Sequence, residues 1–291
     1  MNRQKSYKEL DSQGCLYLVP TPIGNLEDIS YRALNILKTV DFVASEDTRN
    51  TQKLLNHFDI KVNQISFHEH NSQQRIPELI DYLQAGQSIA QVSDAGMPSI
   101  SDPGHDLVKA CIEENIRVIS LPGATAGVTA LIASGLPSDT FTFVGFLPRK
   151  KGEQKAIFQK LIGREETQII YESPYRVKTT LENMLEIYPE THPVVLCREL
   201  TKIHEEYLRG SIRELLEYLG EHEIKGECCL MIGGGQEQLS TLHEEQLSLT
   251  IKEHVETLMS DNQLSSKAAI KEVAKLRGMK KQDIYKEYHD L

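Results

Sequence analysis

Through the first two-thirds of the chain, short apolar runs alternate with helical patterns. The first series is LYLVP (16–20), DFVASE (41–46), NQISF (63–67), SIAQVSD (88–94) and IRVISLPG (116–123). Between these lie YRALNILKTV, a helix around Asn50–Phe58, another from about Gln74 to Gln84, and one holding Leu107, Val108 and Cys111. Apolar runs of about five residues separated by helices mark a parallel sheet covered on both faces. A second series follows: FTFVGF (141–146), QIIYES (168–173), PVVLCREL (193–200) and ECCLMIGGG (227–235). The links near Glu205–Arg209 are too short for a crossover helix, so antiparallel neighbours are expected there. From about Glu237 the pattern is purely helical. Ala269, Val273 and Leu276 recur at i, i+4, i+7 between candidate caps Ser265 and Gly278, and Ile284 and Tyr288 mark a second short helix. The expectation is two α/β domains, 1–122 and 123–236, followed by a small helical hairpin in 237–291.

With 40% apolar and 25% charged residues, wholesale disorder and fibrous repeats are excluded. No window approaches 18 consecutive apolar residues, and MNRQKSYKELDSQG carries no apolar core, so neither a membrane span nor a secretory leader is expected. The expected compartment is the cytoplasm. Five cysteines without a C-x-x-C pair read as buried, reduced thiols rather than a disulfide framework or a zinc site. The net charge of −10 argues against broad nucleic-acid binding, but it is unevenly spread. Ser265 to Leu291 carries +3 and the rest of the chain −13. Lys267, Lys271 and Lys275 are four apart and share one helix stripe. With Arg277, Lys280 and Lys281 they form either a solvated face or a phosphate-binding one.

Three loops at strand carboxyl ends stand out, where open sheets bind ligands. The first is Pro20-Thr21-Pro22-Ile23-Gly24-Asn25. Gly24 precedes Glu46 by 22 residues, which mimics a dinucleotide fingerprint. The G-x-G-x-x-G is missing, however, and prolines offer no N–H to a pyrophosphate. The second is Ser93-Asp94-Ala95-Gly96-Met97-Pro98-Ser99-Ile100-Ser101-Asp102-Pro103-Gly104, whose Gly and Pro fix an unusual path and whose Asp residues supply acceptors. The third, Leu121-Pro122-Gly123-Ala124-Thr125-Ala126-Gly127, places small residues at a helix N-terminus, where free N–H groups accept a ligand. His68-Glu69-His70-Asn71 lacks a third metal ligand, and two His at i and i+2 point to opposite faces of a strand; a polar loop lining a site is the favoured reading. Gly233–Gly235 is no P-loop, and no specific nucleophile–base pair stands out.

The strings PTPIGNLEDIS, SEDTRNT, FHEHN, SDAGMPSISDPG, PGATAGVTALIASGL, FVGFLPRK, YESPYR and RELTKIHEE run in that order. Together they resemble the ribosomal RNA methyltransferase branch of the tetrapyrrole methylases, the class III S-adenosylmethionine-dependent enzymes. The resemblance runs from about Leu16 to the C-terminus. Met97 stands where that branch usually has Thr, and Tyr175 where it usually has His. The resemblance implies two α/β domains with the cofactor, S-adenosylmethionine, in the cleft between them, and a homodimer. It implies methyl transfer to the 2′-hydroxyl of a cytidine in the decoding region of 16S ribosomal RNA in the small subunit; because the sulfonium methyl is already activated and no ligand cluster stands out, no metal is expected. By resemblance, the cofactor positions are Ile23, Asp94, Gly96, Met97, Thr125, Ala126 and Tyr171.

Such a transfer needs in-line alignment of oxygen, methyl and sulfur, and removal of a poorly acidic proton. Glu46, Asp47, Glu172 and Glu199 are candidate proton acceptors. Arg49 and Arg198 are candidates to orient phosphate or stabilise the developing oxyanion. Each has a structural alternative as one half of an ion pair. Arg149 and Lys150, in the turn after FTFVGF, join the lysine stripe as expected RNA contacts. Two other readings stand beside this one: methylation of a tetrapyrrole, which needs neither the basic tail nor the FLPRKK turn, and a non-catalytic RNA-binding assembly factor, which need not bind the cofactor.

Overall fold

The computed structural model describes residues 1, 3–6, 13–102, 104–234, 249–261, 264–277 and 279–289, without the side chains at 261, 272, 275 and 276. The chain divides into two compact units. One holds residues 1–162 and 166–233, the other 163–165 and 234–291.

The first unit holds two five-stranded sheets. The first sheet contains β1 (Cys15–Leu18), β2 (Phe42–Ser45), β3 (Asn63–Ser66), β4 (Ile89–Val92) and β5 (Arg117–Ser120), all parallel, in the order β3-β2-β4-β1-β5. Alternate residues feed opposite faces, as the period of two requires. Cys15, Val43 and Ala90 join Leu37 of α1 (Tyr31–Thr39) and Leu55 of α2 (Thr48–His57) in one core. Leu16, Ala44 and Ile89 join Leu79 and Leu83 of α3 (Ser72–Gln84) and Leu107 of α4 (Gly104–Glu113) in another. This strand order sets β1 between β4 and β5. The loops leaving those three strands, which the sequence singled out, therefore emerge side by side.

The second sheet has the order β6-β7-β10-β8-β9, from β6 (Phe141–Phe146), β7 (Thr167–Glu172), β8 (Pro193–Arg198), β9 (Glu206–Ser211) and β10 (Cys228–Ile232). β6 and β7 are parallel; the other three pairings are antiparallel, as the short links predict. One face carries α6 (Lys151–Leu161), α7 (Pro174–Met184) and α8 (Ile212–Glu221) over a core that includes Phe158, Leu181, Leu196 and Leu230. The other face carries α5 (Ala126–Ser134), whose Ala130 and Leu131 pack with Ile169, Val195 and Met231. Burying each such side chain contributes about 1.5–3 kcal/mol.

The sequence placed no strand at β9. EYLRGS is an edge strand with mostly half-buried residues, so no apolar alternation announces it. His68 and His70 lie in a polar loop, as expected. They sit in the turn that joins β3 to α3, with ring centroids 6.0 Å apart. All five cysteines are buried and unpaired; burial pushes the Cys15 thiol up to about 11 and Cys111 up to about 12.

In the second unit, α9 (Ile251–Asp261) precedes the two expected helices, α10 (Ser266–Leu276) and α11 (Lys281–Tyr288). Ile251, Val255, Ala269, Ile270, Val273 and Ile284 form their core. Lys267 and Lys271 are exposed on α10; the Lys275 side chain and Gly278 lie outside the described residues. Among the described residues no helix is long and apolar enough to cross a membrane.

Candidate active site

A cleft of about 430 Å³ opens between the two sheets of the first unit, within the range of small-molecule sites. The loop after β1 forms one wall. Thr21 and Gly96 exchange backbone hydrogen bonds of 3.0 and 3.1 Å, an isolated antiparallel bridge that locks this loop to the loop after β4. The Thr21 hydroxyl donates to the Ser93 carbonyl at 3.2 Å. Two residues on, Ile23 leaves the first sheet altogether and is buried among Leu131, Leu200, Cys229 and Met231 of the second. At Gly24 an added Cβ would lie 2.9 Å from the Leu200 carbonyl oxygen, so only glycine lets the loop approach this closely.

The loop after β4 is shaped by Asp102 and Gly96. The Asp102 carboxylate accepts the amides of Ser99, at 2.9 and 2.8 Å, and Gly104, at 2.7 Å. Those bonds hold Ser99 and Ser101 in left-handed conformations, φ 69° and 65°, each at a cost of about 1–3 kcal/mol. Burial raises the Asp102 pKa above the usual carboxylate range, against the lowering effect of the amide bonds. Gly96 (φ 81°) supplies the left-handed turn at the cleft. Asp94 is a strut: its two oxygens accept the Asp47 amide at 3.1 Å and the Asn50 side chain at 3.3 Å.

The third wall is the N-terminus of α5. Thr125 makes no side-chain cap, which leaves first-turn amides without intrahelical acceptors. Gly127 donates its amide to the Tyr171 hydroxyl at 3.0 Å, tying α5 to β7. Burial raises the Tyr171 pKa, and its ring is braced edge-on by Phe143 and Phe146, with centroids 5.0 and 5.6 Å away.

All seven positions expected to hold a cofactor, Ile23, Asp94, Gly96, Met97, Thr125, Ala126 and Tyr171, line this one cleft. The six candidates for chemistry separate. Glu46 lines the cleft, and one of its oxygens accepts the Asp94 amide at 3.2 Å. Its pKa is raised by burial and by the neighbouring Asp94, Asp102 and Asp47 carboxylates, with the Asp94 amide pulling the other way. Glu172 also borders the cleft, but its carboxylate is fully buried. It accepts the Ser173 amide and the Thr180 hydroxyl, both at 2.9 Å, and pairs with Arg176 at 3.4 Å. Glu199, outside the lining, accepts Lys202 at 2.8 Å and the Glu227 amide at 2.9 Å, bonds that lower its pKa. Arg198 is bound to Glu206. Arg49 is exposed and pairs with Asp47 at 2.7 Å, which holds that carboxyl at about 2. These four side chains, and Asp47, are each engaged by a partner within the protein. Sequence reasoning did not single out Phe146, Leu200, Gly226 and Glu227, which also line the cleft. No pattern in the sequence signals that these face the loops of the first sheet. Among the described residues, no group of three His, Cys, Asp or Glu could hold a metal ion.

The sequence model of the Tetrapyrrole (Corrin/Porphyrin) Methylases matches residues 15–216. A similar solved structure, uroporphyrin-III-C-methyltransferase from Thermus thermophilus, superposes with a TM-score of 0.56 at 21% identity, covering 79% of this chain and 98% of that one. Among curated proteins, the ribosomal RNA small subunit methyltransferase I of Streptococcus pyogenes serotype M3 is 54% identical over 100% of both chains. That of Bacillus subtilis is 45% identical over 99% of both. The chain belongs to the tetrapyrrole methylase family and, within it, to the ribosomal RNA small subunit methyltransferase I family.

A titration follows from Glu46. A carboxyl whose folded pKa is raised contributes stability that is full below its unfolded pKa and is lost as pH rises through the folded one. Glu46→Gln removes that loss. Thermal unfolding from about pH 4 to 7 should therefore show the variant gaining on the parent as pH rises. Parallel curves would contradict the placement of Glu46 in this acidic, half-buried environment.

Proposed function

We propose that this chain transfers a methyl group from S-adenosylmethionine to the 2′-hydroxyl of a cytidine in the decoding region of 16S ribosomal RNA, acting on the small subunit. The observation that carries the reading is the convergence of four separate segments on one cleft: the loops after β1 and β4, the start of α5, and Tyr171 of β7. The full-length likeness to RNA methyltransferases selects the RNA substrate over a tetrapyrrole.

The cleft residues fit the cofactor. Ile23, Met97, Ala126 and Leu200 offer apolar surface for the adenine and the thioether chain. Glu46, Asp94 and Glu227 offer carboxylates toward hydroxyls and positive charge. The uncapped first turn of α5 offers amides to the ring nitrogens. When bound, the cofactor supplies an activated methyl on a sulfonium. The chain's part is then mainly positioning. The Thr21–Gly96 bridge holds the cleft wall, and Tyr171 fixes the start of α5. Glu46 is the group we assign to accept the hydroxyl proton. Its one engaged oxygen leaves the other for substrate, and its raised pKa makes it a better base than an ordinary carboxylate. The exposed Lys267 and Lys271 serve the RNA backbone. The protein works in the cytoplasm as a homodimer. The exposed apolar side chains Val128 and Ile132 on α5 and Phe141 and Phe143 on β6 support self-association.

Small subunits from cells lacking the activity, incubated with methyl-labelled S-adenosylmethionine, should acquire one label on a cytidine ribose that resists alkaline cleavage. Uroporphyrinogen should acquire none. Label on the tetrapyrrole, or on a base, would overturn the reading.

Replacing Lys267 and Lys271 together by Gln should flatten the log–log salt dependence of subunit binding by about 0.7–0.9 for each phosphate no longer neutralised. Filter binding at a series of salt concentrations measures the slope. An unchanged slope would make the stripe a solvated face.

A further inference from the structure

We propose that Phe146 and Tyr175 form a stacking platform for unpaired RNA bases at the mouth of the cleft, with Arg149 and Lys178 as its phosphate-binding cations. The inference rests on the RNA reading above and names the surface that would recognise that substrate.

Two large aromatic side chains stand in water here, Phe146 65% exposed and Tyr175 87% exposed. Neither is accidental in its placement. β6 has a register shift between Phe143 and Gly145, and Gly145 takes φ 74°. Such a bulge re-aims the side chain that follows it. Phe146 is thereby turned onto the cleft lining, against the edge of Tyr171. Tyr175 follows Pro174, itself part of the lining, in the first turn of α7.

The two turns that carry these rings are stapled together. Arg176 donates to the Leu147 carbonyl at 3.1 Å and the Pro148 carbonyl at 2.8 Å, and is anchored by the buried Glu172 at 3.4 Å. The platform is therefore rigid before any ligand arrives, which lowers the ordering cost of binding. Glu172, a candidate for chemistry in the sequence, finds its use here.

Charge around the rings suits a polyanion. Lys178 lies one turn along α7 from Tyr175, on the same side of the helix. Arg149 lies in the turn directly after Phe146. Both are exposed, and neither has an anionic partner among the described residues, whereas Lys150 and Lys151 are paired with Glu153 and Glu186. Free cations beside exposed aromatic faces, in a chain of net charge −10, are the composition of a single-strand binding surface. Unpaired nucleotides whose bases are splayed out are recognised by stacking on aromatic side chains.

The test uses the full chain and purified small subunits lacking the modification. Tyr175→Ala should raise KM for subunits about 10-fold or more, with kcat and S-adenosylmethionine affinity unchanged. Tyr175→Phe should restore the parent KM. The chain contains no tryptophan, so Tyr175→Trp gives a lone indole fluorophore. A single-stranded RNA oligonucleotide should quench it, and an abasic oligonucleotide of equal length and charge should not. If the parent methylates subunits while Tyr175→Ala matches its KM and the indole is not quenched, the platform is wrong and the RNA reading stands. If the parent itself transfers no methyl to subunits, the RNA reading fails first. If Tyr175→Ala instead changes the sedimentation of the protein and leaves RNA binding alone, the rings cover a second copy, and the proposal is overturned.

Discussion

The candidate cleft depends on one short stretch of paired backbone. Thr21 and Gly96 exchange two hydrogen bonds outside either sheet, each worth a net 0.5–1.5 kcal/mol or so. Their importance lies in what they join. They fasten the loop after β1 to the loop after β4, and the same loop carries Ile23 into the core of the second sheet. The Thr21 hydroxyl, which donates to the Ser93 carbonyl, reinforces the same junction. With this junction in place, Asp94, Gly96 and Met97 stand opposite Tyr171 and Ala126 across a defined gap.

Holding such a wall has costs, and they fall at the cleft itself. Ser99 and Ser101 occupy left-handed conformations, and Asp102 offsets the strain by accepting amides around the turn. Glu46, Asp94 and Asp102 crowd acidic charge at one end of the cleft, and with burial this leaves the pKa of Glu46 raised; burial alone raises that of Asp102. Ligand sites commonly accept such conflicts while the scaffold supplies the stability. Here two well-filled cores flank the second sheet, with Phe158, Leu181 and Leu230 fully buried on one face and Ile169 and Met231 on the other.

Much of this was legible in the sequence, and for a physical reason. Parallel strands buried on both faces leave an unmistakable apolar run, and a loop built from Gly, Pro and Asp after such a run is rarely only a connector. The three loops so identified contain six of the seven positions that the resemblance proposes for the cofactor; the seventh, Tyr171, lies outside them. Side-chain employment was not legible. Glu46, Glu172 and Glu199 are chemically alike in sequence. Only folding shows that the partners of Glu172 include Thr180, that Glu199 binds the amide of Glu227, 28 residues away, and that Glu46 keeps an oxygen unspent. β9 was missed because an edge strand has no need of apolar alternation, and Phe146 because a bulge, not a pattern, decides where it points.

The central claim is that the cleft wall is built before cofactor binds. Hydrogen exchange of the cofactor-free protein tests it directly. The amides of Thr21 and Gly96 should exchange slowly, close to those of β1 and β4, and S-adenosylmethionine should add protection chiefly around Asp94–Met97 and Thr125–Gly127. Rapid exchange at Thr21 and Gly96 in the free protein, slowed only by S-adenosylmethionine, would contradict the account and make the wall a product of binding.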